Sequence, residues 1–163
     1  MTTVEKVLTL KQIDLLETAG PRHLLALAEL VREVEMTAGQ AIYGETDLAD
    51  AIYVVHRGRV RLLTGEKELS TVGPGEAFGT WALVDDSERG QRAECAEDGM
   101  LVALGREDFY DLATTDPTLL VGVLRVVARR LRTLVAERPE EARIEGEGME
   151  TGEEPTEDSI PHP

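Results

Sequence analysis

Apolar positions near the start of the chain recur at helical spacing. Val4, Val7, Leu8, Leu10, Ile13, Leu15 and Leu16 form an imperfect stripe ended by Ala19, Gly20 and Pro21, which predicts one or two short helices. Pro21 suits a first helical turn and opens a stronger helix, with Leu24, Leu25, Leu27, Ala28, Leu30 and Val31 crowding one side. Arg22, Glu29 and Arg32 are left for water, and the helical segment is expected to end near Glu35. Beyond Thr37, Ala38 and Gly39 the texture changes to short apolar runs separated by turn residues. The runs predict strands over 34–36, 41–43, 51–56, 59–64, 67–72, 91–96 and 100–104. Glycines place turns at Arg57 and Gly58, at Gly65, at Gly73 to Gly75, and at Glu97 to Gly99. Many short antiparallel strands at this spacing favour a barrel or jelly roll.

After Gly105 the pattern is helical again. A short helix from Arg106 breaks at Thr114 to Pro117, and a longer one runs to about Glu137 before Pro139 stops it. In that last helix Leu120, Leu124, Val127, Leu131 and Leu134 follow a heptad spacing, with Arg125, Arg129, Arg130 and Arg132 beside or opposite. Two readings stand: the seam packs on the protein's own barrel, which the shortness of the seam favours, or it pairs two copies of the chain.

Composition divides the chain further. With 163 residues and 42% hydrophobic content it can bury one core, so one domain with additions is expected. The organisation read from the pattern is an N-terminal helical segment over 1–36, a β-barrel over 37–105, C-terminal helices over 106–138 and an acidic, disordered tail over 139–163. The tail holds nine Asp or Glu against Arg143 alone, −8 of the net −15, and leaves −7 on the rest. Even that remainder repels phosphate backbones and anionic bilayers, so neither nucleic acid nor membrane is an expected partner. One cysteine, Cys95, permits neither an intrachain disulfide nor a thiolate metal cluster; alternating with Ala93, it reads as a small core residue. The start of the chain lacks a basic region followed by a long apolar run, and a cytoplasmic setting is expected.

One stretch carries candidate chemistry. From Pro74 to Gly90 a proline and two glycines, Gly75 and Gly79, precede a short apolar helix, and Arg89 follows about ten residues later. That is a cradle suited to a small anionic ligand. Taken alone, Arg89 is a surface arginine with Asp85, Asp86 and Glu88 as local partners; only the spacing of the cradle raises it above that. Arg92, three residues on, is a weaker candidate for the same anion.

In order and spacing these signals resemble a cyclic-nucleotide-binding domain. The resemblance covers about Lys6 to Glu137 and rests on Gly39 ahead of a strand, the run from Asp50 to Val60, Gly73 to Gly75, Phe78 and Gly79, Arg89, and Ala128 to Arg132. It implies a double-stranded β-helix (jelly-roll) barrel with flanking helices and regulation in place of catalysis, while the acidic tail after Glu137 leads to the expectation of no DNA-binding domain there. The cradle is then the phosphate-binding cassette, with Phe78, Gly79, Thr80, Trp81, Ala82, Arg89 and Gly90 as ligand-contacting residues. Backbone N–H groups of Gly79 to Ala82 would open a helix toward the anion, Arg89 would pair with the cyclic phosphate, and Gly90 would let the chain pass close behind. Typical members carry a glutamate at position 80 that accepts from the ribose 2′-hydroxyl. Thr80 is shorter and uncharged and is free to cap the helix starting at Trp81. Losing that acceptor removes roughly 1.5 to 3 kcal/mol, so weak or atypical binding is expected. In bacterial cyclic-AMP regulators hydroxyl residues near the end of the dimer helix meet the adenine; the matching positions here are Leu134 and Val135. Trp81 would stack on a base or fill the barrel mouth.

Three other readings compete. A metal-dependent cupin enzyme needs a ligand set, and His23, His56 and His162 lie on separate segments with no usable spacing, so neither a metal nor a catalytic group is expected. A winged-helix transcription regulator needs a basic domain where the acidic tail stands. An interaction module that kept the fold and lost the nucleotide is supported by Thr80 and opposed by Arg89. The reading adopted is a regulatory sensor, with no cofactor beyond a cyclic nucleotide or another small phosphate ligand, a protein partner for output, and a homodimer through the helix around Leu120 to Leu134.

Overall fold

The computed structural model of the chain describes residues 1–137. Two units are distinguished along the chain, Met1–Val127 and Ala128–Pro163, and the described part of the second is the end of one helix. The expectations for residues 139–163 lie outside the described residues.

Helix α1, Thr3–Leu10, starts where Thr2 and Glu5 form a reciprocal cap. The Thr2 Oγ1 accepts from the Glu5 N–H at 3.2 Å and a Glu5 carboxylate oxygen accepts from the Thr2 N–H at 2.6 Å. After a short 3₁₀ turn at Asp14–Leu16, helix α2 runs Pro21–Leu30 with Pro21 in its first turn. It ends earlier than the apolar stripe predicts. Val31 is extended and buried, and Arg32–Met36 forms strand β1, paired with residues 99–103. The stripe could not show this, because what ends the helix is a partner strand far along the chain.

Strands β2 (Ala41–Tyr43), β3 (Ala51–Thr64), β4 (Lys67–Val72), β5 (Ala77–Phe78) and β6 (Arg92–Gly105) complete a six-stranded antiparallel sheet. The long strands β3 and β6 pair along their whole length and organise it. On one half they carry β1 against β6 and β5 against β3; on the other, β2 against β6 and β4 against β3. This is the mainly-β, jelly-roll arrangement with flanking helices that the strand spacing predicts.

Two predicted turns are bends inside continuous strands. The segments 51–56 and 59–64 are one strand, as are 91–96 and 100–104, and the pairing register shifts between Val55 and Val60. Gly58, at φ 87°, and Gly99 face each other there. A Cβ on Gly58 would lie 2.6 Å from the Glu97 carbonyl oxygen, and one on Gly99 would lie 2.0 Å from the Arg57 carbonyl oxygen. The glycines allow close backbone approach at the crease, and the strands bend without reversing.

Alternation along β3 and β6 sorts side chains into two cores. Ile52, Val54, Val102 and Leu104 face a helical layer of Leu16, Leu24, Leu27, Phe109 and Val123, while Val55, Val60, Cys95 and Leu101 face Met36, Tyr43, Val72 and Phe78. Helix α3, Arg106–Thr115, follows β6 directly, and helix α4 runs Thr118–Glu137. On α4 the fully buried row is Leu119, Val123 and Val126, beside the heptad seam. Leu120 and Val127 are half-buried, whereas Leu124, Leu131 and Leu134 are exposed. Within Met1–Val127 the seam is thus shared: Leu120 and Val127 pack on the core and Leu124 does not.

Candidate functional site

A cavity of about 380 Å³ opens beside β5. Tyr43, Leu62, Ala77, Phe78, Gly79, Thr80, Trp81, Ala82 and Arg89 line it, with Asp85, Ser87, Glu88 and Gln91 completing the wall. Of the seven residues expected to touch ligand, six meet here and Gly90 does not.

Gly79 sets the local geometry. It adopts φ 69° and ψ 28°, the left-handed region that costs a residue with a Cβ, and a four-residue 3₁₀ turn, Thr80–Leu83, follows. Gly79 is the cap residue, so Thr80 does not cap through its side chain, and the Ala82 N–H already donates to the Gly79 carbonyl at 3.2 Å. One of the four N–H groups expected to face an anion is thus spent. Trp81 is 56% exposed and lies on the cavity wall.

The return from this turn is stitched to the loop after β2. Ala49 N–H donates to Ser87 O at 3.1 Å, Arg89 N–H to Asp47 O at 2.8 Å, and Gly90 N–H to Glu45 O at 2.9 Å. The Asp47 carboxylate accepts from Gly44 N–H at 2.7 Å, which fixes the loop in turn. No heavy atom lies within 4 Å of the position a Gly90 Cβ would take, so Gly90 serves its positive φ of 69° and not a close passage of chain.

This stitching turns the Arg89 side chain inward, where only 3% of it is exposed. Its Nη2 donates to the Ala51 carbonyl at 2.8 Å and to Asp50 Oδ1 at 3.2 Å. The guanidinium lies over the Tyr43 ring, 4.2 Å from the centroid, and 5.6 Å from that of Tyr53. Gly79 makes room for it, since a Cβ there would stand 2.7 Å from Nη1. Among the described residues Nε and Nη1 have no hydrogen-bond partner. A buried cation with two open donors is costly and calls for an acceptor. The surface-arginine reading is therefore overturned: Asp85 instead accepts from Ser87, which holds its carboxyl below the ordinary value, and the arginine's carboxylate is Asp50. Burial raises the Tyr43 phenol above its ordinary value, with Arg89 opposing.

The remaining candidates lie elsewhere. Arg92 pairs with Glu94 at 2.8 Å and is not part of the cavity wall. Cys95 is buried, its Sγ donates to Glu97 O at 3.1 Å, and burial raises its pKa. His23 is held by Asp116 at 2.6 Å. No three His, Cys, Asp or Glu side chains among the described residues are grouped to hold a metal ion. Sequence reasoning missed Tyr43 and Asp50 as the arginine's neighbours. Tyr43 ends a strand, and Asp50 opens the run to Val60, but neither position shows by itself which side chain it meets.

The site is also tied to the helices. Tyr110 Oη on α3 donates to Leu83 O at 2.9 Å, and Arg106 N–H donates to Asp50 O at 2.8 Å.

Comparison with known proteins gives a consistent picture. The family model for the cyclic nucleotide-binding domain matches residues 33–116, slightly more than half of the chain. A cyclic AMP receptor protein of Thermus thermophilus is 41% identical over 99 residues, 58% of this chain and 46% of that protein. A lysophospholipase NTE1 of Chaetomium globosum is 28% identical over 146 residues, 83% of this chain but 10% of that protein. Among solved structures, the N-terminal domain of a transcriptional regulator from Streptomyces coelicolor A3(2) aligns with a TM-score of 0.71 at 30% identity, over 77% of this chain and 94% of that one. The chain thus spans less than half the length of the two full-length relatives.

Proposed function

Because the chain belongs to the cyclic nucleotide-binding domain family, we propose that it is a non-enzymatic regulatory sensor whose cavity takes a cyclic nucleotide with its phosphate against Arg89. The observation that carries the reading is the buried guanidinium with Nε and Nη1 unpartnered. A singly charged phosphodiester supplies the acceptor oxygens that these donors lack, through charge-assisted hydrogen bonds worth more than neutral ones. Phe78, Gly79, Thr80, Trp81 and Ala82 form the adjoining wall. Gly90 serves only the backbone path.

Binding is weak in this reading, in the micromolar range or poorer, because Thr80 offers no carboxylate to a ribose hydroxyl. Occupancy is reported through α3, whose Tyr110 holds the end of the turn at Leu83 and whose Arg106 holds the backbone of Asp50, the carboxylate partner of Arg89. The output passes to a protein partner or to a second copy of the chain through the exposed seam of α4. A cytoplasmic setting belongs to the same reading and rests on the single cysteine, which permits no intrachain disulfide.

Calorimetry with cyclic AMP, cyclic GMP and cyclic dinucleotides tests it. Wild type should bind at least one of them and Arg89→Ala should lose it, while Thr80→Glu should tighten a cyclic mononucleotide by roughly ten- to a hundredfold. If neither wild type nor Thr80→Glu binds at millimolar ligand, the cavity is not a nucleotide site and the interaction-module reading replaces this one.

A further inference from the structure

Beside the buried arginine a second polar group lacks a partner. The chain holds three tyrosines. The Tyr110 hydroxyl donates to Leu83 O, and Tyr53 is not on the wall of the Arg89 cavity. Tyr43 is on that wall, only 7% exposed, and its hydroxyl makes no hydrogen bond among the described residues. A buried phenol normally finds a partner, because losing its water without replacement is costly. An unpaired one on the wall of a cavity calls for a partner that arrives from the cavity.

The ring is fixed on several sides. Tyr43 ends β2 and pairs with Ala93, and its ring meets those of Tyr53 and Phe78 at centroid distances of 6.1 Å each, with the Arg89 guanidinium over it at 4.2 Å. The Tyr43 hydroxyl oxygen and Arg89 Nη1 flank one spot, the place where a Gly79 Cβ would stand, at 3.7 and 2.7 Å from it. Gly79 carries no side chain, so an unpartnered O–H and an unpartnered N–H are neighbours on the cavity wall with no Cβ between them. Burial holds the phenol above its ordinary value although the arginine opposes this, so near neutral pH the group is an uncharged O–H that can donate.

Resting on the function proposed above, we infer that Tyr43 is a second ligand-binding residue, whose hydroxyl donates a hydrogen bond to an anionic oxygen of the ligand's phosphate beside the contact made by Arg89. The guanidinium supplies charge and the phenol supplies direction. A phosphodiester presents two exocyclic oxygens, which suit a pair of neighbouring donors. An anion with one acceptor oxygen leaves one of the two buried donors unpaired, and the pair discriminates against it on that ground.

The test is calorimetry of full-length wild type, Tyr43→Phe and Arg89→Ala with cyclic AMP and with its two phosphorothioate diastereomers, each of which replaces one exocyclic oxygen by sulfur, a weaker acceptor. Tyr43→Phe keeps the ring under the guanidinium and removes only a hydroxyl that has no partner in the protein. Its melting temperature without ligand should not fall, while cyclic AMP should bind roughly ten- to a hundredfold more weakly. The same change should weaken one diastereomer about as much as cyclic AMP and the other markedly less, because the sulfur of the latter already stands where the phenol donates. Binding that is lost in Arg89→Ala but equally tight in wild type and Tyr43→Phe, or an equal loss for both diastereomers, overturns the role of the hydroxyl and leaves the proposed function standing. No binding of any of these probes to wild type at millimolar concentration overturns both.

Discussion

Gly79 and Arg89 depend on each other. Gly79→Ala imposes a left-handed backbone on a residue with a Cβ, a strain of about 1–3 kcal/mol. It also sets that Cβ 2.7 Å from Nη1, so the guanidinium must leave its place over Tyr43. The expected outcome is a lower melting temperature and loss of cyclic nucleotide binding by calorimetry. A variant that keeps both would show that the arginine does not need this approach. Both residues were legible in the sequence, because the distance from the glycine turn to the returning arginine is a local pattern. The arginine's burial was not: its carboxylate lies 39 residues earlier, and nearer acids in the chain looked equally able to pair. Thr80 misled for a related reason, since a threonine ahead of a helix looks like a cap, whereas the left-handed glycine takes that position.

Among the elements, the junction of α3 and α4 is held by one carboxylate. Asp116 Oδ2 meets His23 Nε2 at 2.6 Å and Arg22 Nη2 at 3.1 Å, and its Oδ1 accepts from the Thr118 hydroxyl and N–H at 2.5 and 3.2 Å. The hydrogen bonds from Thr118 and then His23 hold its carboxyl well below the ordinary carboxylate range. A folded-state pKa lowered in this way contributes stability above the unfolded value, near pH 4, that is lost as pH falls further. Wild type should therefore melt above Asp116→Asn at neutral pH, with the gap closing below about pH 4. A gap that stays constant down to pH 2 would contradict this origin. The α4 seam makes a second prediction. Leu124, Leu131 and Leu134 are exposed at heptad positions, so sedimentation should show wild type self-associating and Leu131→Glu monomeric. A wild type that stays monomeric at high micromolar concentration removes this route of output. Apart from the two-residue β5, the strand pattern was legible segment by segment, yet the continuity of β3 and β6 through Gly58 and Gly99 was not. A glycine that bends a strand and a glycine that ends one look alike until the partner strand is in place.

At the scale of the molecule, the jelly roll places β5 and the loop after β2 on either side of one arginine, in a chain whose net charge is −15. A binding site for an anion on so acidic a protein has to be short-ranged, which a buried guanidinium with open donors provides and a surface patch would not. The central claim is that these donors take the ligand's phosphate. It is tested most directly by nuclear magnetic resonance of the Arg89 Nε–H, assigned by its loss in Arg89→Lys, before and after saturation with cyclic AMP. The account predicts that this resonance moves saturably as Nε gains an acceptor. A resonance unchanged at ligand concentrations that saturate binding elsewhere in the spectrum would contradict it.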